Sequence, residues 1–254
     1  MRVLFVGDVF GEPGLRAVAM HLPDLRPHYD IVIVNGENAH HGKGLSKPAY
    51  KKLREAGADL ITLGNHAWDH KDIYELIKTE PIIRALNYPP GTPGQGHWVL
   101  EVGGEQLLVM QVMGQVDMGL NLYDPFRTTE ALLTEVPHDY ALLEVHAEAT
   151  SEKYALGHYL GGKVSALLGT HTHVQTADAG FLANGTAIQC DVGMTGPIHS
   201  IIGGEIESFL GRFITQRPTP FKAASGRAMF CATELVLEGG KCVQIRPMRW
   251  EEPE

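Results

Sequence analysis

Cysteine is scarce in this sequence: Cys190, Cys231 and Cys242 are the only three in 254 residues, and no two of them form a CxxC pair. They cannot all be bridged to one another, which excludes a disulfide scaffold and suits a reducing compartment. Long apolar runs are missing as well. The longest, Ala228 to Ala232, stops at five residues, where a membrane span needs roughly 20. At the N-terminus the run Val3 to Val6 is cut off by Gly7 and Asp8, short of the roughly 7 to 15 residues of a signal-peptide core. A cytoplasmic protein with no membrane partner is the expectation. Positive charge is in deficit, 21 Lys and Arg against 30 Asp and Glu for a formal net charge of −9. That argues against an extended nucleic-acid surface or an anionic-membrane surface, both of which need an excess of Lys and Arg. Linkers, low-complexity tracts and internal repeats are absent, so a single domain over residues 1–254 is expected. What the chain does have in excess is histidine, 13 residues in an otherwise ordinary globular composition.

Apolar, β-branched runs recur as candidate buried strands: Val3 to Val6, Ile31 to Val34, Leu60 to Leu63, Leu107 to Val112, Tyr140 to Val145 and Val164 to Leu168. Helical patterns alternate with them. Ser46 is placed to cap a helix with Pro48 in its first turn that closes near Gly57, and Thr150 or Ser151 to cap another running to Gly161. This βαβαβα order predicts largely parallel strands in the first half. Two hairpins are predicted, around Gly103-Gly104 and around Gly239-Gly240. Parallel strands plus antiparallel hairpins imply an α/β to α+β fold with a mixed sheet, or with two sheets packed face to face.

In open α/β sheets the ligand crevice lies beyond the carboxyl ends of the strands. There the sequence is consistent: Asp8 after the first run, Glu37 and Asn38 after the second, Asn65 and His66 after the third, then His146, then His171 and His173. A lone Asp or Asn at a strand end suits a turn or cap, and a lone His suits a half-buried core position. Their coincidence at one sheet edge points instead to a metal centre. His171-x-His173 reads as two side chains of an extended segment facing one centre.

Oxygen and imidazole donors without thiolate suit Mn, Fe or Zn. The candidates exceed the four donors one tetrahedral ion needs, and two ions sharing a carboxylate would use them all. Two divalent ions against the carboxylates of Asp8 and Glu37 leave a net positive centre that attracts phosphate despite the acidic surface. Such a pair, roughly 3.5 to 4 Å apart, clamps a phosphoryl group and generates hydroxide at neutral pH.

The strings GDVFG (Gly7 to Gly11), GEN (Gly36 to Asn38), GNH (Gly64 to His66), His146, GTHTH (Gly169 to His173) and CDVGMTGP (Cys190 to Pro197) together resemble the calcineurin-like metallophosphoesterase superfamily. More closely they are similar to its small bacterial YmdB-like branch of 2',3'-cyclic-nucleotide phosphodiesterases. The resemblance implies a four-layer α/β/β/α sandwich of two mixed sheets and two transition-metal ions per chain, Fe or Mn ahead of Zn. It also implies hydrolysis of a small-molecule nucleotide phosphodiester by a metal-bound hydroxide. One metal would take Asp8, Glu37, Asn38 and His173; the other Glu37, Asn65, His146 and His171. His66 would stand off the metals as general acid. Two departures stand out: Phe10 occupies the place of a usual histidine ligand, and Glu37 that of the usual bridging Asp. Asn38 is then the residue to replace the missing histidine, and Asp69 the nearest to orient His66.

Other residues near the motifs are assigned no role. His40, His41 and Lys43 read as a solvated loop, Met194-Thr195-Gly196 as a glycine-rich turn or a wall over the metals, and Trp68 as core. A phosphomonoesterase with the same metals, and a nucleotide-binding regulatory protein without turnover, are the alternative readings. A homo-oligomer is left open.

Overall fold

The computed structural model describes residues 1–253. The chain lays down most of one sheet, builds a second, and returns to complete the first. Strands β1 (Arg2–Val6), β2 (Ile31–Asn35), β3 (Leu60–Thr62) and β4 (Ile82–Ile83) pair in parallel. The second sheet contains β5 (His97–Val102), β6 (Glu105–Met113), β7 (Tyr140–His146), β8 (Ala166–Thr170), β9 (Gly180–Phe181) and β10 (Ala187–Gln189), in the order β5-β6-β7-β8-β10-β9. Finally β11 (Gly196–Pro197), β12 (Ala228–Glu238) and β13 (Lys241–Glu251) rejoin the first sheet, with β12 antiparallel to β1, β11 and β13. Both sheets are mixed. Each expected hairpin is present, and the four glycines at the two turns all have positive φ, as the tight turns favoured between right-twisted strands require.

Alternation along the strands builds the layers. Val3, Phe5, Ile31 and Ile33 face inward and meet Val109, Leu142 and Leu168 of the second sheet. Leu4, Val6, Val32 and Val34 face outward against Leu15, Leu22 and Leu53 of helices α1 (Gly11–Leu25) and α2 (Lys47–Ala56), with α3 (Ile73–Thr79) beside them. On the far side Leu108, Met110 and Leu143 pack against Leu132 and Leu156 of α4 (Pro125–Glu135) and α5 (Thr150–Tyr159). These strands read as unbroken apolar runs because both of their faces are buried. The result is the expected four-layer α/β/β/α sandwich. Helix α6 (Ile206–Thr215) differs, burying none of its residues and exposing Leu210, Phe213 and Ile214. No helix among the described residues is long and apolar enough to cross a membrane.

Local signals set α2 as expected: the Ser46 hydroxyl accepts from the Ala49 N–H, and Gly57 closes the helix at φ 115°. The start of α5 needs correction. Thr150 is its first helical residue, Ala149 occupies the cap position without a side-chain bond, and the helix ends at Tyr159. The chain turns in three residues after β7, and the Ala149 carbonyl already accepts from Glu152 N and Lys153 N, so neither Thr150 nor Ser151 is left in a capping position.

Candidate metal centre

Cross-sheet contacts gather the carboxyl ends of β1, β2, β3, β7 and β8 at one edge. Glu37 Oε1 lies 3.2 Å from His146 Nε2, and His171 N donates to Asp8 Oδ2 at 3.3 Å. Two groups of donors form there: Glu37, His146 and His171 in one, Asp8, Glu37 and His173 in the other, with the donor atoms of each group within 4.8 Å of one another. Glu37 belongs to both. Asn65 joins the first through Oδ1, 2.8 Å from His146 Nε2. Asn38 joins the second, but its Nδ2 is the atom turned inward, 3.0 Å from Glu37 Oε1 and 3.2 Å from His173 Nε2. To ligate through Oδ1, this amide must turn over.

All seven expected ligands are therefore close together, but His171 and His173 are not paired on an extended segment as alternation suggests. Strand β8 ends at Thr170, and the two histidines lie beyond it with φ of 98° and 66°, outside the extended range. Their rings consequently serve different groups. Left-handed backbone at non-glycine residues is costly and clusters where surrounding structure enforces it.

Several features fit a pair of cations. Asp8 is fully buried, yet its Oδ1 has no hydrogen-bond partner among the described residues. His171 Nδ1, Asn65 Oδ1 and Glu37 Oε1 all converge on His146 Nε2, at 3.2, 2.8 and 3.2 Å, four donor atoms gathered around one point as a cation's ligands would be. A methyl group at Gly64 would run into the Glu37 carboxylate and the His146 ring, so the space between these donors exists only because residue 64 is glycine. All the donors are oxygen or nitrogen.

Outer partners fix the rings. His146 Nδ1 lies 2.8 Å from Thr170 Oγ1, which donates at 2.8 Å to Glu144 Oε1, and that carboxylate also accepts from Asn35 Nδ2 at 2.7 Å. The chain of bonds leaves His146 Nε2 free to face the cluster. The Ile202 carbonyl does the same for His173 by accepting from Nδ1 at 2.8 Å. Fully buried Lys153 donates to the Thr170 carbonyl at 2.9 Å and pairs with Asp191, whose carboxylate also takes Thr172 N, Thr172 Oγ1 and Gly193 N. Sequence reasoning missed these supports. Thr170, Thr172, Asp191 and Gly193 lie in the quoted motifs without a role assigned to them, Asn35, Glu144 and Lys153 lie outside those motifs, and a backbone carbonyl such as that of Ile202 leaves no trace in sequence.

Burial pushes the Asp8 carboxyl up to about 6 and that of Glu144 up to about 7. It acts on Glu37 in the same direction, but the facing His146 ring outweighs it and holds Glu37 well below the usual carboxylate range. Reciprocally, Glu37 overcomes burial and raises His146 to about 9. Burial and the neighbouring His146 bring His171 down to about 3, leaving it a neutral donor.

His66 belongs to neither donor group. Its backbone N–H donates to Glu37 Oε2 at 3.0 Å while its ring turns away, with Nδ1 2.8 Å from Asp69 Oδ2 as expected for an orienting carboxylate. The ring lines a cavity of about 360 Å³ that also contacts Glu37, Asn38, His171 and His173. Lys43 lines the same cavity, whereas His40 and His41 turn toward a different depression beside α2. Met194, Thr195 and Gly196 do not wall this cavity. Thr195 instead braces the first ligand strand, its N–H donating to Asp8 O and its carbonyl accepting from Phe10 N. Trp68 packs with Tyr74 and Tyr88 against the core, as expected.

Known proteins resemble the chain over nearly its whole length. The family model described as YmdB-like protein matches residues 4–248. A Bacillus subtilis (strain 168) protein named 2',3'-cyclic-nucleotide 2'-phosphodiesterase is 46% identical over 232 residues, 89% of this chain and 88% of the relative. A crystal structure of a hypothetical protein from Thermus thermophilus superposes with a TM-score of 0.98 at 65% identity, covering 100% of both chains. Another, of a novel phosphatase from Mycoplasma pneumoniae, gives 0.93 at 33% identity over 99% of this chain and 93% of that one.

Proposed function

The chain belongs to the YmdB-like family, and from that premise we propose that it is a metal-dependent phosphodiesterase that opens 2',3'-cyclic nucleotides. The observation that carries this reading is the sharing of Glu37 between two donor groups that reach one cavity through Glu37, His171 and His173, with His66 lining the same cavity and outside both groups. Asp8, Glu37, Asn38 and His173 would hold one ion; Glu37, Asn65, His146 and His171 the other. Two such ions, Fe or Mn ahead of Zn, would supply an activated water and positive charge to offset the phosphate's negative charge. The chain's own residues supply the rest. Glu37 sets the spacing of the two sites from a single buried carboxylate. Thr170 and the Ile202 carbonyl keep the ligating nitrogens of His146 and His173 directed inward. Asp69 accepts at Nδ1 of His66 and so presents Nε2 to the cavity. As hydroxide from the activated water adds to phosphorus and the bond to one ribose oxygen breaks, the doubly protonated His66 ring, its Nδ1–H held by Asp69, would pass its Nε2 proton to that oxygen and remain as the neutral imidazole.

Metal-loaded protein assayed against 2',3'-cyclic nucleotides, bis-p-nitrophenyl phosphate and p-nitrophenyl phosphate is expected to turn over the diesters, the cyclic nucleotides best. A preference for the monoester would make it a phosphomonoesterase. No turnover of any of the three would reduce it to a metal-bearing binding protein.

Two substitutions probe the sites separately. Asn38→Ala is expected to weaken metal binding at the Asp8 side by about 10-fold to 100-fold, the range for loss of a group that supports a metal site. Unchanged affinity in a metal titration would make Asn38 a turn residue. Gly64→Ala fills the space between Glu37 and His146, so elemental analysis should find one ion per chain where the parent holds two. Retention of both ions at parental affinity would show that this space is not the ion's.

A further inference from the structure

Among the described residues that line the metal cavity, Lys43 is the only Lys or Arg. It follows Glu37 and Asn38 in a tight loop with glycines on both sides, Gly42 at φ 87° and Gly44 at φ 76°. Backbone bonds Gly42 N to Asn38 O, Lys43 N to His40 O and His40 N to Gly44 O, at 2.9 to 3.0 Å, fix the Lys43 backbone relative to Asn38. Among the described residues its ammonium has no carboxylate partner. It lies instead 5.2 Å from the centre of the Phe221 ring.

Phe221 is 39% exposed and lines the same cavity. Phe10 packs edge-on to it and to His173, with ring centres 6.2 and 5.5 Å apart. A side chain at Gly42 would strike the Phe10 ring, so glycine there is what lets the loop and the aromatic wall close together. The chain directly after Phe221 is anchored by Glu205 N to Lys222 O at 2.9 Å and Ala224 N to Gly203 O at 2.8 Å. Gly203 adjoins Ile202, whose carbonyl holds His173. Cation and ring are thus each connected to the metal-site residues by a short, bonded path.

An ammonium over a solvent-facing ring is weakly held compared with one bonded to phosphate. An anion entering the cavity would draw it away and uncover the ring face, and an uncovered phenyl face in a nucleotide-sized cavity stacks a base regardless of its sequence identity. We propose that Lys43 and Phe221 form the substrate-recognition wall of this cavity: Phe221 takes the face of the nucleobase, and Lys43 moves from that face to the phosphate. The proposal rests on the nucleotide reading of the site and adds the residues that select a nucleoside over a bare sugar phosphate.

The test uses metal-loaded protein with two substrates, adenosine 2',3'-cyclic phosphate and ribose 2,3-cyclic phosphate, which lacks the base. Phe221→Leu should raise KM about 10-fold for the nucleotide, the order of one lost base stack, and leave KM for the base-free substrate within about twofold. Lys43→Met keeps the aliphatic stem and should raise KM for both substrates while flattening the rise of KM with salt; Lys43→Arg should restore most of the loss. Metal content equal to the parent's in all three variants confirms that the centre is intact. An equal effect of Phe221→Leu on both substrates, or a Lys43→Met protein with parental KM and salt dependence, overturns the proposal. If the parent turns over neither substrate, the hydrolytic reading fails on its own. Calorimetric binding of adenosine 3'-monophosphate against ribose 5-phosphate then decides recognition: a preference for the nucleotide that Phe221→Leu removes supports it, and its absence overturns it.

Discussion

Replacing His66 with alanine is expected to leave the fold and both metal sites in place while turnover of a cyclic nucleotide falls by about 100-fold to 10,000-fold, the usual contribution of a positioned general acid. The separation follows from geometry. His66 reaches the donor groups only through its backbone N–H to Glu37, which alanine retains, while the ring points into the cavity and is held by Asp69. The loss should also depend on the leaving group. An alkoxide needs the proton far more than an activated phenolate does, so bis-p-nitrophenyl phosphate should be affected less than adenosine 2',3'-cyclic phosphate. Steady-state kinetics on both, with elemental analysis of the same preparation, gives the answer. Equal losses on the two leaving groups would assign His66 to phosphate positioning, and loss of metal would make it a ligand.

Glu37→Ala should have the largest effect on the centre itself. Because this one carboxylate contributes to both donor groups, its removal is expected to empty both sites, whereas His171→Ala should disturb only the one it shares with His146. The parent should carry two transition-metal ions per chain, the His171 variant close to one and the Glu37 variant close to none. Full occupancy of a single ion in the metal-replete parent would sink the bridging arrangement. Retention of either ion at parental affinity in Glu37→Ala would do the same.

How far the sequence carries can be judged residue by residue. Strands β1, β2, β6, β7 and β8 are legible because burial on both faces demands continuous apolar, β-branched runs, and polar residues directly after them mark the functional edge. Strand β3, only three residues long, is still legible because the apolar run carries on to Leu63 and is followed by Gly64-Asn65-His66, whereas β4, β9, β10 and β11, of two or three residues, offer no such run or periodicity to detect. Among site residues, those projecting from strand ends can be found. The relative direction of His171 and His173 cannot, because alternation assumes extended backbone and these two residues are left-handed. The roles of Lys153, Glu144 and Ile202 are invisible for another reason: each depends on a partner distant in the chain, such as the Lys153–Asp191 pair and the 2.7 Å bond from Asn35 to Glu144.

The division of the donors between the two sheets has a mechanical consequence. Asp8, Glu37, Asn38 and Asn65 follow strands of the first sheet, while His146 ends a strand of the second and His171 and His173 follow another. Ions held by both sets would act as rivets across the seam of the sandwich, at the edge where the interface changes from hydrocarbon to the polar contacts around Asn35 and Glu144. Each ion at a free concentration 100 times its dissociation constant would add about 2.7 kcal/mol to the closed form. With the rivets withdrawn, this edge would become the sandwich's weakest seam, and breathing of the fold would start at the loops that carry the chemistry.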